Sequence, residues 1–375
     1  MIIGIPKEIK AQENRVGAVP AMVHDLVAGG HRVVVEAGAG LAAGIHDEQF
    51  AHAGAEIAAR AAEVYGQAGL IVKVKEPLPD EYPLIRPSQI LFTFFHFAAS
   101  RELTEAMLAS GAQCFAYETL TVNDTRPLLK PMSEVAGRMS AQVGAFCLEA
   151  HKGGRGILLG GVPGVEPAKV LILGGGNVGA NAARMAAGLG ARVIVMDIDV
   201  DRLRRLDAIM PANVTTLASS PYALREHLQD ADLIIGAVLV AGARAPTLIR
   251  REDLAVMQKD GPVIVDIAID QGGCVETSRP TTHAEPTFVV DGVLHYCVAN
   301  MPGAVPRTAT FALTNATKPY AHRLADLGAE AAAADPVLGT AANILAGEVT
   351  HPGVAEAFGL RCRAPSEVLR GAAAG

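Results

Sequence analysis

Short β-branched runs alternate with stretches of helical periodicity along the first 120 residues of the chain. The runs predict strands at residues 2–5, 31–36, 70–74, 90–95 and 114–117. Between them, apolar residues recur at helical spacing in segments 22–27 and 47–62, and Gly29 and Gly30 are expected to end the first helix. Strands and helices that alternate in this way form a parallel sheet covered by helices, so this segment predicts a first α/β domain.

A second alternating segment follows a glycine- and proline-rich stretch at residues 153–164. An apolar helix at residues 135–151 is expected to connect the two segments. After Asn300 the pattern becomes helical at residues 309–325 and 336–346, with no sign of a third sheet, and we expect these helices to fold back on the first domain. The predicted strands of the second segment start at Val170, Val193, Leu233 and Val263.

These patterns predict an α/β protein with two Rossmann-like, doubly wound parallel-sheet domains and a cleft between them. Residues 1–131 and 301–375 are expected to form the first, discontinuous domain, and residues 132–300 the second. Ligands of open α/β sheets bind beyond the carboxyl ends of the strands, so polar residues at strand ends carry the most information about function.

Three glycines follow the apolar strand at residues 170–173 and open the predicted helix at residues 177–189. Gly174 permits a tight turn, Gly176 lets the backbone approach a pyrophosphate, and Gly179 lets the helix pack closely on the strand. The amino end of the helix presents unpaired N–H groups and a positive dipole to the phosphates. The alternative is a glycine turn that only tightens packing.

Asp197 lies 23 residues after the first of these glycines, at the end of the next apolar strand. A carboxylate at that point can accept hydrogen bonds from both hydroxyls of an adenosine ribose, and its charge repels a 2′-phosphate. Together with the glycines, Asp197 predicts a site for NAD rather than NADP.

The composition excludes several classes of partner. The net charge is −7 and the basic residues are dispersed, which is unlike a protein that binds nucleic acid or an anionic membrane. The longest apolar run, residues 233–243, is too short to span a bilayer, and residues 1–6 resemble a strand rather than an export signal. The five cysteines are widely spaced and predict neither a disulfide framework nor a zinc site, and no metal site is expected. We therefore expect a cytoplasmic protein with reduced thiols and a small-molecule partner.

Three polar residues follow strands of the first domain. Lys75 follows the run 70–74 and His96 follows the run 90–95, where a cation could hold a carboxylate and an imidazole could exchange a proton near neutral pH. Arg15 lies in the loop after the first strand, where its guanidinium could bind a carboxylate with two donors. The alternatives are a surface lysine, a core histidine and a solvated arginine.

The second domain carries two candidate groups at strand ends. Asp270 follows a buried strand at a glycine turn, whereas Asp266 in the same segment is better interpreted as a turn-forming or helix-capping acid. Asn300 follows the run 296–299 and could hydrogen-bond a nicotinamide amide or a ribose, or form a turn before Pro302.

Several long motifs in fixed order resemble bacterial NAD-dependent L-alanine dehydrogenases. They run nearly end to end, at residues 3–8, Arg15, 73–77, 94–96, 131–138, 266–273 and 300–302. The resemblance implies interconversion of L-alanine with pyruvate and ammonia, with Arg15 and Lys75 holding the carboxylate and His96 and Asp270 as acid/base residues. It also implies a homo-hexamer, a substrate-binding first domain and an NAD-binding second domain.

The resemblance further implies a set of NAD-contacting positions besides the three glycines. They are Ser133, Asn177, Val178, Asp197, Arg202, Ser219, Val238, Leu239, Ile267, Arg279, Val298, Asn300 and Met301. Arg202 stands where the family pattern often has lysine, which keeps the charge. Tyr117 and Glu118 are either pocket residues or structural ones.

Two other interpretations remain. The related NAD-binding subunit of proton-translocating transhydrogenase shares this fold but passes hydride to another nucleotide; its catalytic loop contains an Arg-Ala-Gln segment, which residues 133–138 lack. A non-catalytic protein that senses NAD would need the glycine site but not Arg15, Lys75 and His96 together.

Overall fold

A computed structural model describes residues 1–238, 245–257 and 260–372, and for residues 369–372 only the backbone is described. The chain divides into two compact units, Met1–Met132 with Gly303–Gly375, and Ser133–Pro302. We call them the first and the second unit.

The strands, in chain order, are β1 (Ile2–Ile5), β2 (Arg32–Glu36), β3 (Glu56–Ala58), β4 (Leu70–Val72), β5 (Ile90–Thr93), β6 (Gln113–Ala116), β7 (Lys169–Leu173), β8 (Arg192–Asp197), β9 (Val214–Ala218), β10 (Leu233–Gly236), β11 (Val263–Asp266), β12 (Thr287–Val290), β13 (Val293–Tyr296), β14 (Ala342–Leu345) and β15 (Glu348–Val349).

The helices are α1 (Pro20–Ala28), α2 (Asp47–His52), α3 (Ala61–Gln67), α4 (Arg101–Ser110), α5 (Lys130–Cys147), α6 (Asn177–Gly188), α7 (Val200–Ile209), α8 (Pro221–Leu228), α9 (Arg251–Leu254), α10 (Pro306–Ala334), α11 (Leu338–Ala341), α12 (Pro352–Phe358) and α13 (Pro365–Ala372).

The first unit contains a sheet in the order β15-β14-β6-β5-β4-β1-β2-β3. Strands β1 to β6 run parallel, and β14 joins the edge of β6 in the antiparallel sense. Leu91 and Phe92 of β5 lie in different apolar clusters, because successive residues of a strand point to opposite faces of the sheet. The sheet is thus buried on both faces, which explains its nearly continuous apolar strands.

The second unit contains a sheet in the order β12-β13-β11-β10-β7-β8-β9. All of its neighbours pair in parallel except β12, which is antiparallel to β13. Strand order reverses between β7 and β10, and this is the point at which doubly wound sheets bind ligands. Two parallel-dominated α/β sheets confirm the predicted fold class.

Three predicted elements differ in the structure. Segment 47–62 is not one helix, because α2 is followed by Gly54, whose φ of 99° lies in the left-handed region, and then by β3. Segment 336–346 contains β14, in which Ile344 and Leu345 enter the apolar clusters on opposite faces of the first sheet. The helix expected at 135–151 is α5, which starts five residues earlier, with Pro131 in its first turn.

No helix among the described residues combines the length and the apolar character needed to cross a membrane.

Candidate functional site

Four neighbouring parallel strands of the first sheet, β1, β4, β5 and β6, bring their carboxyl ends to one edge. Arg15 lies in the loop between β1 and α1, Lys75 and His96 lie three residues after β4 and β5, and Glu118 lies two residues after β6. A cavity of about 380 Å³ opens at this edge, and Lys75 and His96 both line it. The structure therefore brings these two predicted residues together.

Arg15 lines a neighbouring cavity of about 290 Å³ and is only 2% exposed. Its Nε and Nη2 atoms donate to the two carboxylate oxygens of Glu13, at 2.6 and 2.5 Å, and its Nη1 atom lies 3.0 Å from Sδ of Met132. Burial would raise the pKa of Glu13, but the hydrogen bonds and charge of Arg15 outweigh burial, and the pKa is lowered. The Glu13 carboxylate thus binds the Nε–Nη2 edge of the guanidinium and fixes its orientation.

Lys75 is half-buried, and its backbone carbonyl accepts a hydrogen bond of 2.9 Å from Thr93. Burial, and then the nearby charge of Arg15, lower the pKa of the Lys75 ammonium below that of an ordinary lysine. Lys75 thus places a cation where it is partly desolvated, and an anion bound beside it would favour its charged form.

A buried ion cluster underlies Lys75. Lys73 is 1% exposed, and its Nζ atom lies 2.6 Å from Glu81 and 3.4 Å from Glu8. Glu8 also accepts the backbone N–H of Val74 at 2.7 Å. These contacts fix the backbone immediately before Lys75. No local pattern in the sequence indicates this cluster, because its members come from three separate segments.

His96 has a left-handed backbone, with φ 52° and ψ 43°, and its side chain is exposed. A non-glycine residue in this conformation costs about 1–3 kcal/mol, and such residues concentrate at functional sites. The imidazole lies parallel to the Phe94 ring, with 5.7 Å between ring centroids and 3° between planes. His96 is therefore an exposed, oriented group on the cavity rather than a core histidine.

In the second unit, the glycine turn after β7 has the shape that a dinucleotide requires. Gly174 has φ 98°, and a Cβ at Gly179 would lie 1.8 Å from the Gly174 carbonyl oxygen, so helix α6 packs directly on the turn. A Cβ at Gly176 would meet nothing within 4 Å, so the backbone there is open to a ligand. Helix α6 begins at the next residue, Asn177, and its amino end suits a pyrophosphate.

Asp197 closes β8 and is 5% exposed. Its carboxylate accepts the N–H groups of Gly175 at 2.6 Å and Asp199 at 2.9 Å, and Nη1 of Arg202 lies 3.0 and 3.3 Å from its two oxygens. Burial opposes ionisation, but the two amides and Arg202 outweigh it and lower the pKa of Asp197. The carboxylate is therefore ionised at neutral pH, and a ribose would share it with Arg202 or displace the guanidinium.

Asp270 is exposed in the 3-10 turn Ile267–Gln271 after β11. The backbone N–H of Asn300 donates to Asp270 Oδ1 at 3.4 Å, so these two predicted residues lie together. Asp266 instead accepts the N–H groups of Ala268 at 3.1 Å and Cys274 at 3.0 Å, as expected of a turn-capping acid.

The other predicted cofactor positions are scattered over the second unit. Val178, Val298 and Met301 are buried, so their side chains contribute to packing. Arg279 lies over the Phe288 ring, 4.3 Å from its centroid. Leu239 lies outside the described residues. The remaining positions are half-buried: Ser133 in α5, Ser219 after β9, Val238 after β10 and Ile267 after β11.

Within the described residues, no three histidine, cysteine or carboxylate side chains are grouped as a metal would need.

The chain is similar to known proteins over most of its length. The model of "Alanine dehydrogenase/PNT, N-terminal domain" matches residues 4–136, and that of "Alanine dehydrogenase/PNT, C-terminal domain" matches residues 140–352. An alanine dehydrogenase of Halomonas elongata is 55% identical over 362 residues, which is 96% of this chain and 97% of the relative.

Two solved structures are also similar. One named L-alanine dehydrogenase is 50% identical, with a TM-score of 0.93 over 96% of this chain and 99% of that one. A transhydrogenase from Sinorhizobium meliloti is 27% identical, with a TM-score of 0.81 over 93% of this chain and 100% of that one.

Proposed function

Because the chain belongs to the alanine dehydrogenase/PNT family, we propose that it catalyses the NAD-dependent oxidative deamination of L-alanine to pyruvate and ammonia, and the reverse reductive amination. The observation that carries the proposal is the shared cavity of Lys75 and His96, which combines a cation for a carboxylate with an oriented imidazole. A protein that only binds NAD has no need of this pair.

Arg15 and Lys75 bind the carboxylate of alanine or pyruvate in this proposal. The guanidinium supplies planar donors whose orientation Glu13 fixes, and the ammonium supplies a point charge. Burial first, and then the charge of Arg15, lower the pKa of Lys75, and a carboxylate bound beside these groups would favour the charged ammonium. Holding the carboxylate at two points also fixes the direction of Cα, which is a contribution of orientation to the rate.

His96 and Asp270 move protons. The imino acid derived from alanine releases ammonia only after water adds to its carbon and a proton reaches its nitrogen. His96 can take the proton from that water and return it to the departing amine, because an imidazole serves as base and acid near neutral pH. Asp270, an exposed carboxylate that accepts the backbone N–H of Asn300, is the second acid/base residue of this proposal.

NAD, when bound, supplies the acceptor for the hydrogen on Cα. In the second unit, the turn at Gly174 and Gly176 and the amino end of α6 would hold its pyrophosphate. Asp197 would hold its adenosine ribose, next to Arg202. The remaining NAD-contacting positions, which include Asn300 and Met301, belong to the same proposal.

We also propose that the protein is a homo-hexamer in the cytoplasm. The family resemblance of the sequence supports the hexamer. All five cysteines are reduced, and four of them are buried, which suits a reducing compartment. Size-exclusion chromatography with light scattering would measure the mass of the assembly. A mass equal to that of one chain would contradict the hexamer.

The test is reductive amination by purified protein. With pyruvate, ammonium and NADH, we expect NADH oxidation that requires both pyruvate and ammonium. A transhydrogenase subunit would instead need a second nucleotide as acceptor, and a sensor would turn over nothing. The identity of 50% to the L-alanine dehydrogenase structure, against 27% to the transhydrogenase, favours the first outcome.

A further inference from the structure

Glu118 accepts the backbone N–H groups on both sides of the Phe95 Cα atom. Its Oε1 atom accepts the N–H of His96 at 2.6 Å, and its Oε2 atom accepts the N–H of Phe95 at 3.2 Å. The carboxylate thus uses both oxygens on consecutive amides at the end of β5, although Glu118 itself follows the neighbouring strand β6. Charge-assisted hydrogen bonds of this kind are stronger than those between neutral groups.

The backbone that Glu118 holds leads directly into His96, whose own conformation is rare for a non-glycine residue. With φ 52° and ψ 43°, His96 lies in the left-handed region, and the residues on either side do not share this conformation. The φ and ψ angles of Phe95 set the relative direction of the two bound N–H groups, so the carboxylate fixes the peptide plane from which His96 starts. From that plane, the left-handed angles of His96 direct the imidazole outward, where it lies parallel to the Phe94 ring.

We propose that Glu118 is a positioning residue for His96: by binding two consecutive amides, it fixes the peptide plane that leads into His96 and so aims the imidazole into the cavity. The proposal rests on the proposed function for the role of His96 as the acid/base group. Glu118 does not line that cavity, unlike Lys75 and His96, so its effect on the reaction passes through the backbone rather than through the substrate.

The test compares Glu118→Ala and Glu118→Gln with Glu105→Ala as a matched control. Glu105 lies in α4, is exposed and pairs with Arg101 at 3.2 Å, so its loss should leave activity unchanged. A displacement of a reacting group by about 1 Å can cost about 100-fold in rate, so Glu118→Ala should lower kcat by about 100-fold. Glu118→Gln keeps one acceptor but turns an NH₂ toward the other amide, and its kcat should fall between the two.

The binding constants separate positioning from a general loss of structure. Because Arg15 and Lys75 hold the carboxylate, KM for pyruvate and Kd for NADH should change by less than about threefold in both Glu118 variants. A fall of kcat with parallel large losses in pyruvate and NADH binding would overturn the proposal, as would wild-type kcat in folded Glu118→Ala.

A double variant gives the sharpest outcome. If Glu118 acts only through His96, His96→Ala with Glu118→Ala should be no slower than His96→Ala alone. A further loss of about the size seen for Glu118→Ala would show that Glu118 acts independently, and would overturn the proposal.

Hydrogen exchange tests the proposal without any turnover. The peptide containing residues 94–98 should exchange faster in Glu118→Ala than in the wild-type protein, and unchanged exchange would contradict the structural premise. Absence of alanine dehydrogenase activity in the wild-type protein would instead refute the proposed function, while the exchange result would still decide whether Glu118 holds the backbone that leads into His96.

Discussion

Replacing Asp197 with alanine should weaken NAD binding and narrow the preference for NAD over NADP. Hydrogen bonds to a charged group contribute about 1.5–3 kcal/mol. The ribose must displace Arg202 or share the carboxylate with it, and Arg202 is 41% exposed, so the ion pair that is disturbed is worth about 1 kcal/mol at most. The net loss is about 0.5–2 kcal/mol, which corresponds to about a 2- to 30-fold increase in the Kd of NAD.

The same substitution should not weaken the binding of NADP. Asp197→Ala removes the negative charge that repels the 2′-phosphate and releases Arg202 from its partner, so the Kd of NADP should stay unchanged or fall. Fluorescence titrations with NADH and NADPH, together with kcat/KM for both oxidised cofactors, would measure the change in preference.

The control is Asp201→Ala, an exposed acid of α7 that pairs with Arg204 at 2.5 Å and should leave both constants unchanged. Asp197→Ala also leaves the amides of Gly175 and Asp199 without their acceptor, so thermal unfolding must show that each titrated variant is folded. An unchanged Kd for NADH in folded Asp197→Ala would refute the reasoning, and so would wild-type turnover of NADP as efficient as that of NAD.

Three further predictions concern the first unit. His96→Ala should lower kcat by about 10²–10⁴-fold with little change in NADH affinity, because a general acid/base contributes on that order; near wild-type turnover would return His96 to a structural role. Arg15→Lys keeps the charge but loses the planar fork, so kcat/KM for L-alanine and pyruvate should fall by more than about 10-fold. Arg15→Lys also takes the bidentate partner from Glu13, so Glu13→Gln serves as the control for the loss of that ion pair. An unchanged KM for pyruvate in folded Arg15→Lys would mean that the substrate carboxylate binds elsewhere. Burial and the charge of Arg15 lower the pKa of Lys75, so its ammonium loses its charge at a lower pH than an ordinary lysine does. The KM for pyruvate should therefore begin to rise at a pH below 10.5, the ordinary pKa of lysine. Lys75→Arg should remove that rise, since a guanidinium stays charged, and a flat wild-type profile would contradict the assignment.

The fold was predictable for elements whose local hydrophobic pattern matches their position in the folded protein. Buried parallel strands such as β4, β5 and β11 are continuous apolar runs, and the helices between them show their own period. Strands β3 and β14 were missed because they are short, lie towards the edges of the sheet and are fixed by pairing with β2 and β6. Nothing in their local sequence distinguishes them from the neighbouring helices.

Site residues were also predictable where a local pattern in the sequence marks their position. Strand ends can be located from the apolar runs alone, and these runs are enough to predict Lys75 and His96 on one edge of the sheet. The groups that orient them could not be placed, because Glu118 reaches His96 from another strand and Glu81 reaches Lys73 from a separate turn. For Arg15 a local signal existed, since Glu13 is an opposite charge two residues away in the same loop.

The most direct test of the central claim is formation of NADH from NAD and L-alanine by the purified wild-type protein, with no second nucleotide or membrane partner. We predict steady NADH formation with stoichiometric pyruvate and ammonia, abolished by omitting L-alanine and reduced about 10²–10⁴-fold in His96→Ala. If folded protein binds NAD but forms no NADH from L-alanine, or needs a second nucleotide to turn over, the proposed function is contradicted.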